Sequence, residues 1–236
     1  MIEYIEQITK ARTLSCNNIR KKTGGIYDFL GYTVQDMIQW YRLNSDISDY
    51  TLCSISSYQP ETIVSYKLNV QEVLSSRQLE SFPFLSFTNN RPFKDYKYVE
   101  HRYFKYPWHT YKVYWLSSAD KQALIILREI TWQTARMLRI VDFIGERDLI
   151  KQCGEFVGGL IKEQKAEFVD WFAFGVGEHE MKQAGFSRNT EANENIIPLY
   201  LSPLLMKQTG ITIFVSEPRN YMMFRADGDQ DRPNLG

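Results

Sequence analysis

Cysteine is scarce: Cys16, Cys53 and Cys153 are three in 236 residues, odd in number and far apart. Neither a disulfide framework nor the paired thiols of a zinc ribbon is available, and reduced thiols fit a cytosolic protein. Net charge is missing too. Lys plus Arg equals Asp plus Glu at 28 each, so no global field draws in a polyanion, and nucleic acid is not an expected partner. No apolar run approaches the ~18 to 20 residues that span a bilayer. The opening MIEYIEQITKAR lacks the layout of a signal peptide; no integral membrane segment is expected. His101, His109 and His179 stand singly, without the spacing of a helical zinc pair, so no metal is expected. A nucleophile elbow, a P-loop and a dinucleotide fingerprint are all absent.

What is present can fill a core: 44% of residues are hydrophobic and 14% aromatic. Ile2, Ile5 and Ile8 predict a short helix over 2–12, and TGGIYDFLGYTV predicts a helix, a stop at Gly31 and a strand entry. Between about 43 and 108 the pattern weakens; ETIVSYKLNV looks extended and QEVLSSRQLESF helical. Periodicity sharpens at TYKVYWL (110–116) and KQALIILRE (121–129), a hairpin turning through Ser117-Ser118-Ala119-Asp120, followed by a strand RMLRIVDFI (136–144). Leu149, Cys153, Phe156 and Leu160, flanked by Ile150, Val157 and Ile161, predict a helix of about five turns. EFVDWFAFG (167–175) has the apolar run of a strand buried on both faces, GEHEMKQAG a short helix ended by Gly185, and ITIFVSEP and YMMFRADGD further strands.

This order of elements over 109–190, with QAGF at 183–186, resembles the core of the GNAT N-acyltransferase family. YVEHRYFKYPWHTYKVYW with the ending DGDQDRPN is similar to GNAT-like proteins encoded beside bacterial surface-polysaccharide enzymes. TGGIYDFLGYTV resembles the tail of another such unit, as in a tandem protein that has lost most of its first half. The resemblance implies an α/β fold, a mixed, mainly antiparallel sheet flanked by helices, divided as a partial unit over 1–42, a linker or cover layer over 43–96 and the full domain over 97–236. It implies acyl transfer from acetyl-CoA or another acyl-CoA to a sugar or aminosugar acceptor, with the cofactor held at Ile144, Gly145 and Glu146 of DFIGERDLI. A homodimer is entertained as the assembly. The sequence departs from the family at two places. Met181 stands where many members carry a Tyr acid, whereas Tyr27 fills that slot in the N-terminal stretch. The cofactor loop keeps one glycine, and Glu146 and Asp148 put negative charge where phosphates would sit. The alternative is therefore a degenerate, non-catalytic binding or scaffold protein.

The acceptor's proton would go to Glu178, His179 or Asp229. Glu178 and His179 begin a helix after a buried strand, a setting that also suits ordinary first-turn charges. In an extended C-terminal segment, Asp227, Asp229 and Asp231 share one face and repel unless a cation, Arg232 or a ligand amine joins them. An EF-hand is excluded because Arg232 occupies the glycine position. Arg102, Asp227, Asp231 and Arg232 are the expected substrate-binding residues, and Arg102 has Asp142 as its candidate intramolecular partner. The aromatics between Tyr103 and Trp115 suit either sugar stacking or core packing.

Overall fold

The computed structural model describes residues 4, 8, 10, 11, 13–201 and 203–228. The helix expected over 2–12 falls largely outside them. Three strands, β5 (Lys112–Ser118), β6 (Lys121–Trp132) and β7 (Ala135–Gly145), form an antiparallel meander. Its first turn is tighter than expected: Ala119 adopts φ +53°, so a two-residue connection matches the strand twist and Ser117-Ser118 stay in β5. β4 (Asn69–Val73) extends the meander at its outer edge. The helix expected over 71–82 is replaced by the end of this strand and a 3-10 turn at Ser76–Leu79. Val73 and Leu79 are both buried, as core-directed ends of two short elements.

After β7 the chain crosses over through α3 (Gly154–Glu163) to β8 (Phe168–Phe174), which runs parallel to β7. The helix proper begins five residues later than expected. Before it, Leu149 N–H bonds Glu146 O, Ile150 N–H bonds Arg147 O and Cys153 N–H bonds Ile150 O. These three-residue closures wind the chain more tightly than an α-helix and tuck Leu149, Ile150 and Cys153 into the core. Every residue of β8 is buried. α4 (Glu178–Gln183) then ends as expected at Gly185, whose φ is +81°.

The N-terminal elements are woven into these layers. β3 (Ile38–Leu43) pairs antiparallel with β8 on one edge and with β9 (Ser187–Arg188) on the other. The large sheet therefore runs β4-β5-β6-β7-β8-β3-β9, a mixed, mainly antiparallel sheet in an α/β fold. A second sheet joins β1 (Ser15–Asn17), β10 (Thr212–Val215) and β2 (Thr33–Asp36), with α1 (Lys21–Phe29) stacking Tyr27 on Phe214. One face of the large sheet packs Leu138, Ile140, Phe143 and Trp171 against α3 and α4. The other buries Ile126, Val141 and Ile144 beneath Leu79, Phe82, Phe84, Phe87 and Tyr103; the segment before β5 covers it, with α2 (Tyr96–Val99) continuing into a π-helical turn over Glu100–Phe104.

Candidate functional site

β7 and β8 are paired only at Leu138↔Val169, Arg139↔Asp170 and Ile140↔Trp171, and beyond Ile140 and Trp171 they diverge. Such a wedge exposes backbone groups that need partners. A short strand β11 (Met223–Phe224) supplies them, pairing with β8 at Phe174 and Ala173. Ala173 also pairs with Ile38 of β3, so β11 occupies the opposite edge, the one β7 has left. The Phe224 ring lies 6.5 Å from Phe143 and 5.9 Å from Trp171, the latter stacked. The chain's own C-terminal segment thus fills the wedge.

A buried ion cluster fixes this segment. After β11, residues Arg225–Asp227 form a 3-10 turn, and Asp227 accepts the Phe224 N–H at 2.7 Å. Lys94 Nζ lies 2.6 Å from Asp227 and 2.5 Å from Asp142. Asp142 also accepts from the Tyr103 hydroxyl and, at 2.8 Å, from the Phe143 N–H. A β-bulge places Asp142 there: Ile140 faces Leu127, but Asp142 faces Ile126, so Val141 is the extra residue and the acid joins the face carrying Tyr103. Burial by itself would lower the Lys94 pKa, but Asp142 and Asp227 outweigh it and the net shift is upward. Lys94 is therefore a fixed cation. Burial raises the Asp227 pKa from 3.8 to about 6, Lys94 pulling it down and Asp142 pushing it up.

That shift has a sign. A carboxyl whose folded pKa exceeds its unfolded one favours folding fully below the unfolded value, and this contribution is lost as pH rises through about 6. Relative to Asp227→Asn, the wild type is expected to lose about 1 to 2 kcal/mol of unfolding free energy between pH 5 and pH 7. Urea titrations of both proteins across that range test it; parallel pH profiles would contradict it.

Asp227 and Arg102, both expected to bind substrate, line one cleft of about 350 Å³ together with Phe93, Lys94, Tyr98 and Tyr221. The expected partnership of Arg102 with Asp142 does not form. Arg102 instead lies over the rings of Tyr106 at 4.8 Å and Tyr111 at 5.9 Å and donates to the Tyr111 hydroxyl, and Asp142 belongs to Lys94. Asp227 does not face out of an extended segment, because the 3-10 turn directs it inward. Asp229, Asp231 and Arg232 lie outside the described residues.

Glu178 and His179 are placed elsewhere, exposed on the first turn of α4. A hydrogen bond from Lys182, with that residue's charge and the more distant Arg188, holds the Glu178 carboxyl below its ordinary pKa, the wrong direction for a base near neutral pH. Glu178 lines a separate polar cleft of about 500 Å³ with Tyr58, Glu61, Lys182 and Arg188. Among the described residues no group of His, Cys, Asp and Glu is arranged to hold a metal, and no helix is long and apolar enough to cross a membrane.

Ile144, Gly145 and Glu146 close β7, and their backbone is engaged within the chain. Glu146 N–H bonds Gln122 O at 2.9 Å, and Gly145 O accepts from Asn90 Nδ2 at 3.0 Å. Gly145 is required by the backbone: its φ is +123°, and a Cβ there would lie 2.5 Å from Gln122 O. Asp148 is clamped by Lys121 and Lys151, each at 2.5 Å. Between this loop and Phe224 the free space is about 10 Å³, room for one water. At the Ile144–Glu146 stretch itself the Glu146 N–H and the Gly145 carbonyl are taken up within the chain, and Phe224 fills the wedge beside it.

Comparison with known proteins gives little at the level of sequence: no protein-family model matches the chain, and no curated protein does. Among solved structures, it is similar to a GCN5-related N-acetyltransferase from Anabaena variabilis, with 13% identity and a TM-score of 0.46 over 91% of this chain and 47% of that one. The chain thus spans about half the length of that relative. It is also similar to a functionally unknown conserved protein from Staphylococcus epidermidis, at 13% identity and a TM-score of 0.45 over 92% of this chain and 79% of that one.

Proposed function

We propose that this protein is a non-catalytic binding protein on a GNAT-like scaffold, with the Arg102–Asp227 cleft as its ligand site for an aminosugar-like molecule. The closed wedge is the observation that carries this: β11 takes the β8 edge, and the Glu146 N–H and Gly145 carbonyl are bonded to Gln122 and Asn90 of the chain itself. The cleft supports the ligand class. Phe93, Tyr98 and Tyr221 give ring surface for a sugar, and the Asp227 carboxylate is an acceptor for an ammonium group or hydroxyls.

A second possibility rests on the place of Asp227 in the cleft with Arg102 and Lys94, where burial pushes its carboxyl up, a setting that suits a base taking a proton from an attacking amine or hydroxyl. Under it the protein is an acyltransferase acting on a sugar precursor in surface-polysaccharide synthesis, in the cytoplasm. Isothermal titration of the wild-type chain separates the two. The binding function predicts no heat with millimolar acetyl-CoA or coenzyme A, and a glucosamine signal that Arg102→Ala weakens about tenfold. Micromolar coenzyme A binding, with thiol release when glucosamine is added, would replace it with the transferase.

A further inference from the structure

We infer that residues 221–228 form an autoinhibitory strap, an intramolecular strand that occupies a latent groove between β7 and β8 and is locked there by Lys94. The inference rests on the closed wedge of the proposed function and adds that one removable segment closes it. The arrangement has an anchor, a filler and a lock. Pairing of Met223 and Phe224 with Phe174 and Ala173 anchors the strap to the β8 edge. The Phe224 side chain fills the space between Phe143 and Trp171. Lys94 then bridges Asp227 of the strap to Asp142 of β7, joining the strap to the strand that lines the other wall.

β11 is only two residues long, and beside its two pairings with β8 the segment has one bridge from Tyr221 to Arg91, with Met222 N–H on the Arg91 carbonyl at 2.8 Å, and a 2.6 Å bond between Ser15 and the Tyr221 hydroxyl; so short a ladder holds a strand weakly. Closure therefore depends on Phe224 and on the Lys94 lock more than on the ladder. With the strap removed, the β8 edge beside Ala173 and Phe174 would present a free backbone donor and acceptor, and Phe143 and Trp171 would line an apolar slot. Such a groove takes an extended, amide-bearing chain with an apolar end. Acetyl-CoA is a suitable probe, because its pantetheine arm carries amides and ends in an acyl group.

The test compares acetyl-CoA titrations of the wild type, of Phe224→Ala and of a chain ending at Asn220, each checked for cooperative unfolding. The strap predicts no binding to the wild type at millimolar ligand and at least tenfold tighter binding to the opened proteins. A synthetic peptide of residues 219–228 is expected to compete with the probe on the shortened chain. If that chain does not fold, Phe224→Ala in the full-length protein decides the matter. Folded variants as silent as the wild type would overturn the strap and leave the binding function standing. A wild type that binds acetyl-CoA would overturn both.

Discussion

Lys94→Met is expected to lower the unfolding free energy by about 3 to 5 kcal/mol at pH 7.5, the cost of removing one partner from a buried ionic group. Asp142, with no exposed side-chain surface, and Asp227, with 5% of its own, would then be left without a counter-ion. Two carboxylates in that position cannot both stay ionised, so one takes up a proton. The loss should accordingly shrink at pH 5. Adding Asp142→Asn to Lys94→Met should recover part of it, because only one acid then remains buried. Urea unfolding at the two pH values measures the effect; a change below about 1 kcal/mol with an unaltered slope would mean that Lys94 is not confined as described.

Arg139→Met is expected to cost a similar amount, about 3 to 5 kcal/mol, through a different part of the molecule. Arg139 donates two hydrogen bonds to Asp170, of 2.8 and 2.7 Å, across the parallel pair. It also donates to the carbonyls of Leu199 at 3.0 Å and Pro198 at 3.1 Å. Gln39 Nε2 adds a bond to Asp170 at 3.2 Å, and Asn189 bonds Gln39. The substitution orphans a buried carboxylate and two carbonyls and frees the segment around Leu199 from the sheet. Limited proteolysis should then cut between 189 and 206 at least tenfold faster than in the wild type. Arg139→Met with Asp170→Leu removes both charges and should recover much of the stability. Equal losses in the single and double variants would mean that packing, not the ion pair, sets the cost.

Both clusters left a partial trace in the sequence. RMLRIVDFI and EFVDWFAF place Arg139, Asp142 and Asp170 inside otherwise apolar strands, where a charge survives only with a partner. That signal identifies the buried members without pairing them. Arg139 meets Asp170 because the strands run parallel in a particular register, and Asp142 turns toward Lys94 because of the bulge at Val141. Neither the register nor the bulge is written in local periodicity. Lys94, in RPFKDYK, has polar neighbours on one side and gives no sign of burial.

The order of meander, crossover helix, buried strand and short helix was legible because each element repeats its own period over many residues. The placement of β3 was not: IQWYRL is an ordinary strand pattern, and its seat between β8 and β9 is a long-range pairing. The C-terminal acids show a different limit. Alternation of Asp227 with its successors carries meaning only in an extended chain; Asp227 itself sits in a 3-10 turn that directs it to Lys94, and Asp229 and Asp231 lie outside the described residues. Gly145 was attributed to a cofactor loop on resemblance, whereas its positive φ and the nearby Gln122 carbonyl are reason enough for a glycine.

The occupied wedge connects the fold to the proposed function. Amide hydrogen exchange of the intact chain, followed by mass spectrometry of peptides spanning 221–228, measures that occupancy directly. A strand paired with β8 and locked by Lys94 predicts protection well above that of an unstructured chain, reduced in Phe224→Ala. Exchange at the rate of a free peptide in the wild type would show the β8 edge to be open and would contradict the account.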